Sequence, residues 1–317
     1  MRYLAPIAPA YGDLRDERNR RALTRDALIL LRAHIHPWEH PVDEDRVLAA
    51  ASPTLFGVVS AIYEQFRQAE GKPRWGCKST FMVDHIAEVL AEYPAARFVW
   101  LIRDPRDVAS SAKSSVFGPC HPFLTAVLWR RQQETAHAAL EQYGSGVVHQ
   151  LRYEDLVREP AEEMAGVCKF LDEPYEPGIL EYHRSTAARQ TARLAESWRN
   201  TDRPIAATSV GRYREALSPS ERMQVEIAAG PLMERLGYPV GSHAAGRYPA
   251  GLSLIGLRGR DLALRAKVEY RSVRNDANYL ERWRRDATIQ GLRLKAGVRA
   301  SAAAFRRFSG ARQHDNR

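Results

Sequence analysis

The apolar positions of the first hundred residues recur at helical spacing. Apolar side chains three or four residues apart occupy positions 22–35 and 44–70, and a shorter amphipathic stretch covers 83–90. Because this period places them on one face of a helix, we predict a helix for each stretch. A loop over 71–76, which holds two glycines and a proline, separates the second helix from the third.

The pattern changes at position 97, where Arg97 is followed by the apolar run Phe-Val-Trp-Leu-Ile. A continuous β-prone run, unlike an alternating one, predicts a strand that is buried on both faces, as in a parallel sheet. The stretch Val-Val-His-Gln-Leu over 147–151 predicts another strand, which is followed by a turn at 153–156.

Helical spacing returns between and after the two strands. Asp104 and Pro105 are typical of an N-cap and a first helical position, so we predict that a helix begins there. The other predicted helices cover 122–142, 160–171 and 218–236. Strands joined by helices predict an α/β fold in layers, with helices flanking a parallel sheet.

The composition changes after residue 250. Beyond it Leu, Ala and Arg recur without a strand pattern, punctuated by Gly291, Gly297 and Gly310. We therefore predict an α/β domain over 1–250 and a basic helical C-terminal extension over 251–317. The extension should hold at least two helices and a frayed end after Gly310.

The distribution of charged residues divides the chain at nearly the same position. The 317 residues include 47 Lys and Arg against 38 Asp and Glu, a net charge of +9. Positions 258–317 alone hold 16 basic and 6 acidic residues, which leaves the first 257 positions with a net charge of −1. The neutral body argues against a nucleic-acid-binding fold and confines that question to the extension.

Composition also excludes several classes of protein. No apolar run approaches the ~18 residues of a membrane-spanning helix, and the first residues lack the apolar core of a signal peptide. The three cysteines, Cys77, Cys120 and Cys168, are far apart and form no zinc-binding spacing. We expect free thiols and a cytoplasmic location.

Candidate chemistry lies at the end of the first strand. Ligands of open α/β sheets bind at this edge, where Arg103 ends the strand and the next helix presents free backbone N–H groups. Ser111 follows just over two helical turns later, so a guanidinium and a hydroxyl could bind a phosphate monoester together. The alternative is that the charged residues of 103–107 form surface ion pairs around an N-cap.

This segment resembles the 3′-phosphate-binding segment of sulfotransferases, enzymes that use 3′-phosphoadenosine 5′-phosphosulfate (PAPS) as sulfuryl donor. It reads Arg-Asp-Pro-Arg-Asp-Val from position 103, with Ser111 eight residues after Arg103. Three further segments resemble the family's motifs in the right order: a Trp-Gly-x-Lys loop at 74–80, a Tyr-Glu-Asp-Leu turn at 153–160 and a late glycine-basic segment at 209–218. The branch that the chain resembles is that of bacterial sulfotransferases related to tyrosylprotein and carbohydrate sulfotransferases.

The resemblance implies a P-loop-NTPase-like three-layer fold and gives Lys78 the central chemical role. Lys78 would lie near the bridging oxygen and the sulfate of PAPS, where it neutralises charge on the leaving 5′-phosphate. From the residues alone, the more common interpretation of Lys78 is a solvated lysine on a loop.

The resemblance implies that the other three segments bind the nucleotide of PAPS. Arg103 and Ser111 would bind the 3′-phosphate, and Tyr153 would contact the nucleotide from the end of the second strand. Gly211 and Arg212 would cover the adenosine and its 3′-phosphate. From the residues alone, Tyr153 could equally close the end of a strand and Arg212 could be a surface cation. The product would be 3′-phosphoadenosine 5′-phosphate (PAP), and no metal is implied.

One motif of the family is absent from the sequence. Members begin with a strand and a loop of the form Pro-(Arg/Lys)-Ser-Gly-Thr-Thr, whose backbone N–H groups cradle the 5′-phosphosulfate. No Ser-Gly-Thr-Thr occurs in this chain. The resemblance therefore implies that this sequence lacks the first strand and the phosphate loop of the family's fold. Either the reading frame begins upstream, which we favour, or the homologue is truncated. We expect residues 1–317 by themselves to transfer no sulfuryl group.

The residues leave the catalytic base open. In-line transfer needs a carboxylate or histidine within hydrogen-bond reach of the acceptor hydroxyl. The available side chains, whose spacing selects none of them, are His36, Glu39, His40 and His85. The HxHxxxH spacing at positions 34, 36 and 40 lacks the carboxylates that would complete a metal site, so we predict no metal.

Three functions are compatible with the sequence. The first is a sulfotransferase that moves a sulfuryl group from PAPS to a hydroxyl or amine. The second is a truncated, inactive homologue that binds a nucleotide or a partner protein. The third, a small-molecule P-loop kinase, is weakened because the 103–107 segment has a serine partner instead of a carboxylate that holds magnesium. No motif identifies the acceptor as a protein tyrosine, a carbohydrate, a lipid or a small molecule.

The basic extension has two interpretations. Its arginines and aromatic residues could bind an anionic partner such as nucleic acid, an anionic lipid or an acidic acceptor. These residues are Arg271, Arg274, Tyr279, Arg282, Trp283, Arg284, Arg285 and Arg293. The alternative, which the spacing favours, is a solvated helix pair that docks on the core. The residues predicted to dock are Leu262, Leu264, Val268, Tyr270, Val273 and Leu280.

Overall fold

The computed structural model describes residues 2–35, 38–194, 198–241, 254–276 and 278–314. His36, one of the candidate bases, and Gly251, where the predicted extension begins, lie outside the described residues. The chain forms two compact units, Met1–Pro94 with Asn278–Arg317 and Ala95–Ala277. These units do not follow the predicted boundary at residue 250, because the two helices of the extension belong to different units.

The described residues form helices connected to one small sheet. In chain order the elements are α1 (Glu17–Arg32), α2 (Glu44–Ala50), α3 (Leu55–Ala69), α4 (Ile86–Glu92), β1 (Phe98–Ile102), α5 (Pro105–Ala112), α6 (Pro122–Tyr143), β2 (Val148–Arg152), α7 (Tyr153–Arg158), α8 (Pro160–Leu171), α9 (Thr186–Leu194), α10 (Tyr213–Ala216), α11 (Pro219–Arg235), α12 (Leu254–Asn275) and α13 (Tyr279–His314). Short 3-10 helices lie at Ala5–Tyr11, Met82–His85, Pro177–Arg184 and Ala207–Ser209. Most predicted helices are confirmed, including the one predicted over 160–171.

The helix predicted over 44–70 is two helices. Pro53 cannot donate the backbone hydrogen bond that a continuous helix needs. Thr54 instead caps α3, and its hydroxyl accepts a hydrogen bond from the backbone N–H of Gly57 at 2.8 Å. The turn closes so tightly that a side-chain carbon at Gly57 would collide with Ser52. This close approach explains the glycine inside a helix.

The two strands pair in parallel, as predicted, with Phe98 opposite Val148 and Ile102 opposite Arg152. They join through α5 and α6, so the carboxyl ends of both strands lie at the same edge of the sheet. The turn predicted after β2 is the short helix α7, which begins directly at Tyr153.

Burial alternates along β1. Trp100 and Ile102 are buried, whereas Val99 is 39% exposed and Leu101 is 52% exposed. The prediction that β1 is buried on both faces is therefore wrong. The physical reason is the position of α6. This helix covers the face of β1 that carries Trp100, and Gln133 Oε1 on α6 accepts a hydrogen bond from Trp100 Nε1 at 2.6 Å.

Helix α13 packs inside the first unit. Leu292 and Ala296 join the hydrophobic core that α1 and α3 form with the first residues of the chain. Beside them the buried carboxylate of Asp26 accepts hydrogen bonds from Tyr11 Oη at 2.7 Å and from Lys295 Nζ at 2.7 Å. The helix continues past Gly310 to His314.

Helix α12 packs in the second unit by a different face from the predicted one. Its buried residues are Leu257, Asp261 and Val268. Of the residues predicted to dock, Val268 is buried and Leu264 is half-buried, but the others are exposed. The exposed ones are Leu262, Tyr270 and Val273 on α12 and Leu280 on α13. Asp261 fixes the docked side, because its Oδ1 accepts hydrogen bonds from the backbone N–H groups of Cys120 and His121, the two residues before α6.

Candidate functional site

Arg103 follows β1 directly and is held from three sides. Its backbone oxygen accepts a hydrogen bond from Trp129 Nε1 of α6 at 3.0 Å. Its guanidinium carbon lies 4.4 Å from the ring centre of Tyr153, the first residue of α7. Its Nη2 donates to the backbone oxygen of Ser209 at 2.6 Å. The ends of both strands and the 209–213 turn therefore meet at this arginine.

Arg103 retains hydrogen-bonding capacity in this position. Its Nε is buried without a hydrogen-bond partner, and among the described residues no carboxylate pairs with its guanidinium. A buried polar atom without a partner is the exception in folded proteins. This atom is therefore a candidate contact for an oxygen atom of a ligand.

Arg106, four residues after the end of β1, has by contrast carboxylate partners for its guanidinium. It donates to Asp104 and to Glu226, with closest distances of 2.7 Å and 2.9 Å, and all three side chains are largely buried. Burial alone would lower the pKa of Arg106, but Asp104 and Glu226 outweigh it and hold that pKa above its usual range. These pairs are buried structural contacts, so the alternative of surface ion pairs over 103–107 is wrong.

Asp107 joins α5 to the turn that holds Gly211. The Asp107 side chain is buried, and its two oxygens accept hydrogen bonds from the backbone N–H of Gly211 at 2.7 Å and of Tyr213 at 2.8 Å. Gly211 has a φ of 73°, a left-handed conformation that glycine adopts without a steric penalty. The carboxylate thus positions a predicted nucleotide-binding residue that lies 104 positions away.

Glu154 plays a similar part beside Tyr153. One of its oxygens accepts a hydrogen bond from the backbone N–H of Asp104 at 2.9 Å, and the other accepts one from Tyr238 Oη at 3.0 Å. Burial and then the charge of Glu154 raise the pKa of Tyr238 above its usual range. Sequence reasoning missed the roles of Asp107, Glu154 and Trp129, although the first two stand inside the recognised motifs.

The remaining predicted residues of the second unit are exposed. Ser111 lies near the end of α5 and Arg212 immediately precedes α10. Within the described residues no hydrogen bond joins either side chain to Arg103. The structure therefore brings together Arg103, Tyr153 and the turn of Gly211, and leaves the contacts predicted for Ser111 and Arg212 as predictions.

Lys78 belongs to the first unit, on the loop between α3 and α4, and its side chain is exposed. The same loop is anchored by Trp75, whose ring stacks on that of Tyr63 with centres 4.8 Å apart. Tyr63 Oη donates to Cys77 Sγ at 3.4 Å. The contacts of Trp75 and Cys77 with Tyr63 therefore hold the loop, while the side chain of Lys78 is exposed to solvent.

The candidate bases have carboxylate neighbours. His40 Nε2 lies 2.8 Å from Glu70 Oε1, and His85 Nδ1 contacts Glu88. In the described part of the chain, no group of three or more His, Cys, Asp or Glu side chains could hold a metal ion. Among the described helices, none combines the length and the hydrophobicity needed to cross a membrane.

Residues 3–177, more than half of the chain, match the sulfotransferase family model. The chain belongs to the sulfotransferase family. The matched range includes Lys78, Arg103, Ser111 and Tyr153 and ends before Gly211.

Two curated relatives and one solved structure resemble this sulfotransferase family member. A protein-tyrosine sulfotransferase of Drosophila melanogaster is 25% identical over 246 residues, which are 72% of this chain and 47% of the relative. An uncharacterized protein of Aquifex aeolicus (strain VF5) is 26% identical over 131 residues, 39% of this chain and 17% of the relative. The chain thus spans less than half the length of either relative. The sulfotransferase domain from the curacin biosynthetic pathway has 17% identity and a TM-score of 0.42, with 69% of this chain and 79% of that one covered.

Proposed function

We propose that this protein transfers a sulfuryl group from PAPS to a hydroxyl or amine acceptor and releases PAP. The observation that carries the proposal is Arg103, a guanidinium with a buried, unpartnered Nε at the end of a parallel strand. Tyr153 and Ser209 orient it, and no carboxylate of the described residues neutralises it. Such a group matches the geometry and charge of a phosphate monoester, in this proposal the 3′-phosphate of the donor.

The other contacts to the nucleotide follow from the same arrangement. Ser111 supplies a second hydrogen bond to the 3′-phosphate, and Gly211 and Arg212 cover the adenosine. Asp107 acts as a positioning residue, because it holds the Gly211 turn against α5. A P-loop-NTPase-like fold and a cytoplasmic location belong to the proposal; the three free thiols support the latter.

In the transfer step the acceptor oxygen forms a bond to sulfur while the bond from sulfur to the 5′-phosphate oxygen breaks. Negative charge grows on that departing oxygen, and the ammonium group of Lys78 neutralises it. The proton of the acceptor passes to a base that remains to be assigned. Because Lys78 meets charge that develops during the step, it accelerates the reaction more than it strengthens donor binding.

A peptide tyrosine is the first acceptor to examine. The Drosophila relative carries the name protein-tyrosine sulfotransferase and is similar over 72% of this chain. A carbohydrate, a lipid hydroxyl and a small phenol complete the panel, since acceptor loops vary among proteins of one fold.

The test combines transfer from radiolabelled PAPS to this panel with calorimetric titration of PAP. Residues 1–317 by themselves are expected to transfer no sulfuryl group, so the test protein also carries the family's first strand and phosphate loop. This extended protein should bind PAP and label an acceptor, and Arg103→Ala in it should lose ~1.5–3 kcal/mol of PAP affinity. Arg235→Ala, an exposed arginine at the end of α11, is the matched control and should bind PAP like wild type.

Equal PAP affinity in wild type and Arg103→Ala would contradict the proposal. PAP binding that depends on Arg103 but is accompanied by no transfer to any acceptor would favour the inactive nucleotide-binding homologue instead.

A further inference from the structure

Helix α12 has two apolar faces. The first, which includes Leu257 and Val268, packs in the second unit. The second consists of large apolar side chains left in solvent. They are Ile255 at 84% exposure, Leu262 at 70%, Tyr270 at 62% and Val273 at 53%. At about 100° of rotation per residue they fall within a strip about 80° wide. We call these four residues the α12 strip.

The α12 strip lies opposite the side that holds the helix in place. Leu257, Asp261 and Val268 point to the core of the second unit, and Asp261 accepts backbone hydrogen bonds from Cys120 at 2.7 Å and His121 at 2.8 Å. Docking of α12 therefore does not explain the strip. Gly259 and Ala266, which fall on the same face, leave it continuous.

Basic residues flank the strip on both sides. Arg258 and Arg265 lie along one edge together with Glu269, and all three are exposed. The other edge carries exposed basic residues alone, namely Arg260, Lys267, Arg271 and Arg274. Helix α12 thus holds six basic residues against two acidic ones. Apolar side chains bordered by cations are the pattern of helices that lie in the surface of an anionic bilayer.

We propose that α12 binds the surface of a lipid bilayer that contains anionic headgroups. The strip enters the boundary between headgroups and acyl chains, and the flanking guanidinium and ammonium groups contact lipid phosphates. Tyr270 suits this depth, because its ring is apolar and its hydroxyl is polar. The helix lies along the membrane and does not cross it, in agreement with the absence of a membrane-crossing helix among the described residues.

Two other occupants fit the strip less well. A nucleic acid would pair with the cations but would leave Ile255 and Leu262 in water. A second copy of α12 would cover the apolar strip but would bring two sets of flanking cations together, which is unfavourable. The inference uses none of the residues assigned to sulfuryl transfer.

The test is flotation of the full chain with vesicles of phosphatidylcholine, alone or mixed with phosphatidylglycerol. We expect binding only to the mixed vesicles, with a decrease as salt is added. Leu262→Ser should weaken binding about tenfold, because one large apolar side chain no longer inserts. Replacing Arg260 and Lys267 with glutamine should weaken it about fivefold for each charge.

The matched control is Leu294→Ser on α13. Leu294 is 73% exposed, like Leu262, but its neighbours one turn away are uncharged: Gln290, Gly291, Gly297 and Val298. This variant should bind the mixed vesicles like wild type. Both leucines are exposed, so neither change should alter the fold, which circular dichroism checks.

Four results would overturn the proposal. They are equal binding to neutral vesicles, no effect of Leu262→Ser, an equal loss with Leu294→Ser, and absence of vesicle binding. In the last case, self-association that Leu262→Ser abolishes would identify a second copy as the occupant. Salt-dependent binding of a single-stranded RNA that needs Arg260 and Lys267 would identify nucleic acid.

Discussion

Among single residues, Asp107 carries the two hydrogen bonds that fix the Gly211 turn. Asp107→Asn keeps the size of the side chain but places an amide donor against a backbone N–H. We expect the free energy of unfolding to fall by ~1.5–3 kcal/mol, the usual value of a hydrogen bond to a charged group, and PAP affinity to fall with it. Urea denaturation and calorimetry measure the two effects. Asp155→Asn, a change to a more exposed carboxylate on α7, should alter neither by more than ~0.5 kcal/mol.

Gly211 should tolerate no side chain, because of its backbone conformation. At a φ of 73° an alanine is strained, and its Cβ would also meet the guanidinium of Arg214. Gly211→Ala should lower the free energy of unfolding by ~1–2 kcal/mol. Gly146→Ala is the control, since a Cβ there meets only open space. Similar losses for both variants, measured by urea denaturation, would show that the left-handed conformation is not what requires glycine.

Lys78 should affect the rate of transfer more than the binding of donor. Lys78→Ala should lower kcat by ~10²-fold with a smaller change in the PAPS KM, because the lost interaction strengthens as charge develops. Lys72→Ala removes another exposed lysine from the same loop and should leave both constants near wild type. A Lys78→Ala enzyme with normal turnover would leave Lys78 as a solvated loop residue.

At the scale of elements, the junction between α6 and α12 contains a histidine whose protonation is opposed by burial. Burial lowers the pKa of the His121 imidazole, and the charge of Arg260 lowers it further, while Asp261 and Glu221 act in the opposite direction. The Nδ1 atom of His121 is buried without a hydrogen-bond partner among the described residues. The folded state therefore prefers the neutral ring.

The pH dependence of stability follows from this preference. Because the folded-state pKa lies below the unfolded value of about 6.5, the contribution of His121 is complete above that value and is lost as pH falls through the folded pKa. The urea midpoint of the wild type should decrease between about pH 7 and pH 5, and His121→Gln should decrease less. An unchanged slope in His121→Gln would assign the effect to other groups.

The elements also mark the limit of what the sequence predicts. The helix over 160–171 and the cap at Asp104 are local, so spacing and end residues suffice to predict them. The docked side of α12 is not local. Since this helix is apolar on two opposite sides, its periodicity predicts a helix but does not select the side that packs. The same holds for β1, where a continuous apolar run predicts a strand and only the position of α6 decides which face is covered.

The candidate site divides in the same way. Arg103, Tyr153 and Gly211 could be proposed from motifs, because each motif is a short stretch of sequence. Asp107 and Glu154 act through partners 104 and 84 positions away, Gly211 and Tyr238. Such pairings arise from tertiary packing, and a single sequence contains no signal for them.

For the whole molecule, the division into two units predicts that a destabilising substitution in one unit leaves the other unit folded. Leu292 on α13 is buried in the core of the first unit, so Leu292→Asp should expose the backbone amides of α1 and α3 to hydrogen exchange. The amides of α6 and α11, in the second unit, should exchange as in wild type. Leu294→Asp, two residues along the same helix but 73% exposed, is the control and should change neither unit. Loss of protection in both units after Leu292→Asp would show that they unfold together.

The place of α13 in the first unit also sets an order of folding during synthesis. The core residues Leu23 and Val58 leave the ribosome early, but Leu292, Ala296 and the cation that pairs with Asp26 follow only after all of Ala95–Ala277. Domains fold as their residues emerge. The second unit can therefore fold before the first is complete, and the part of the core of α1 and α3 that Leu292 and Ala296 cover stays exposed until α13 is synthesised. During that interval this exposed apolar surface favours aggregation.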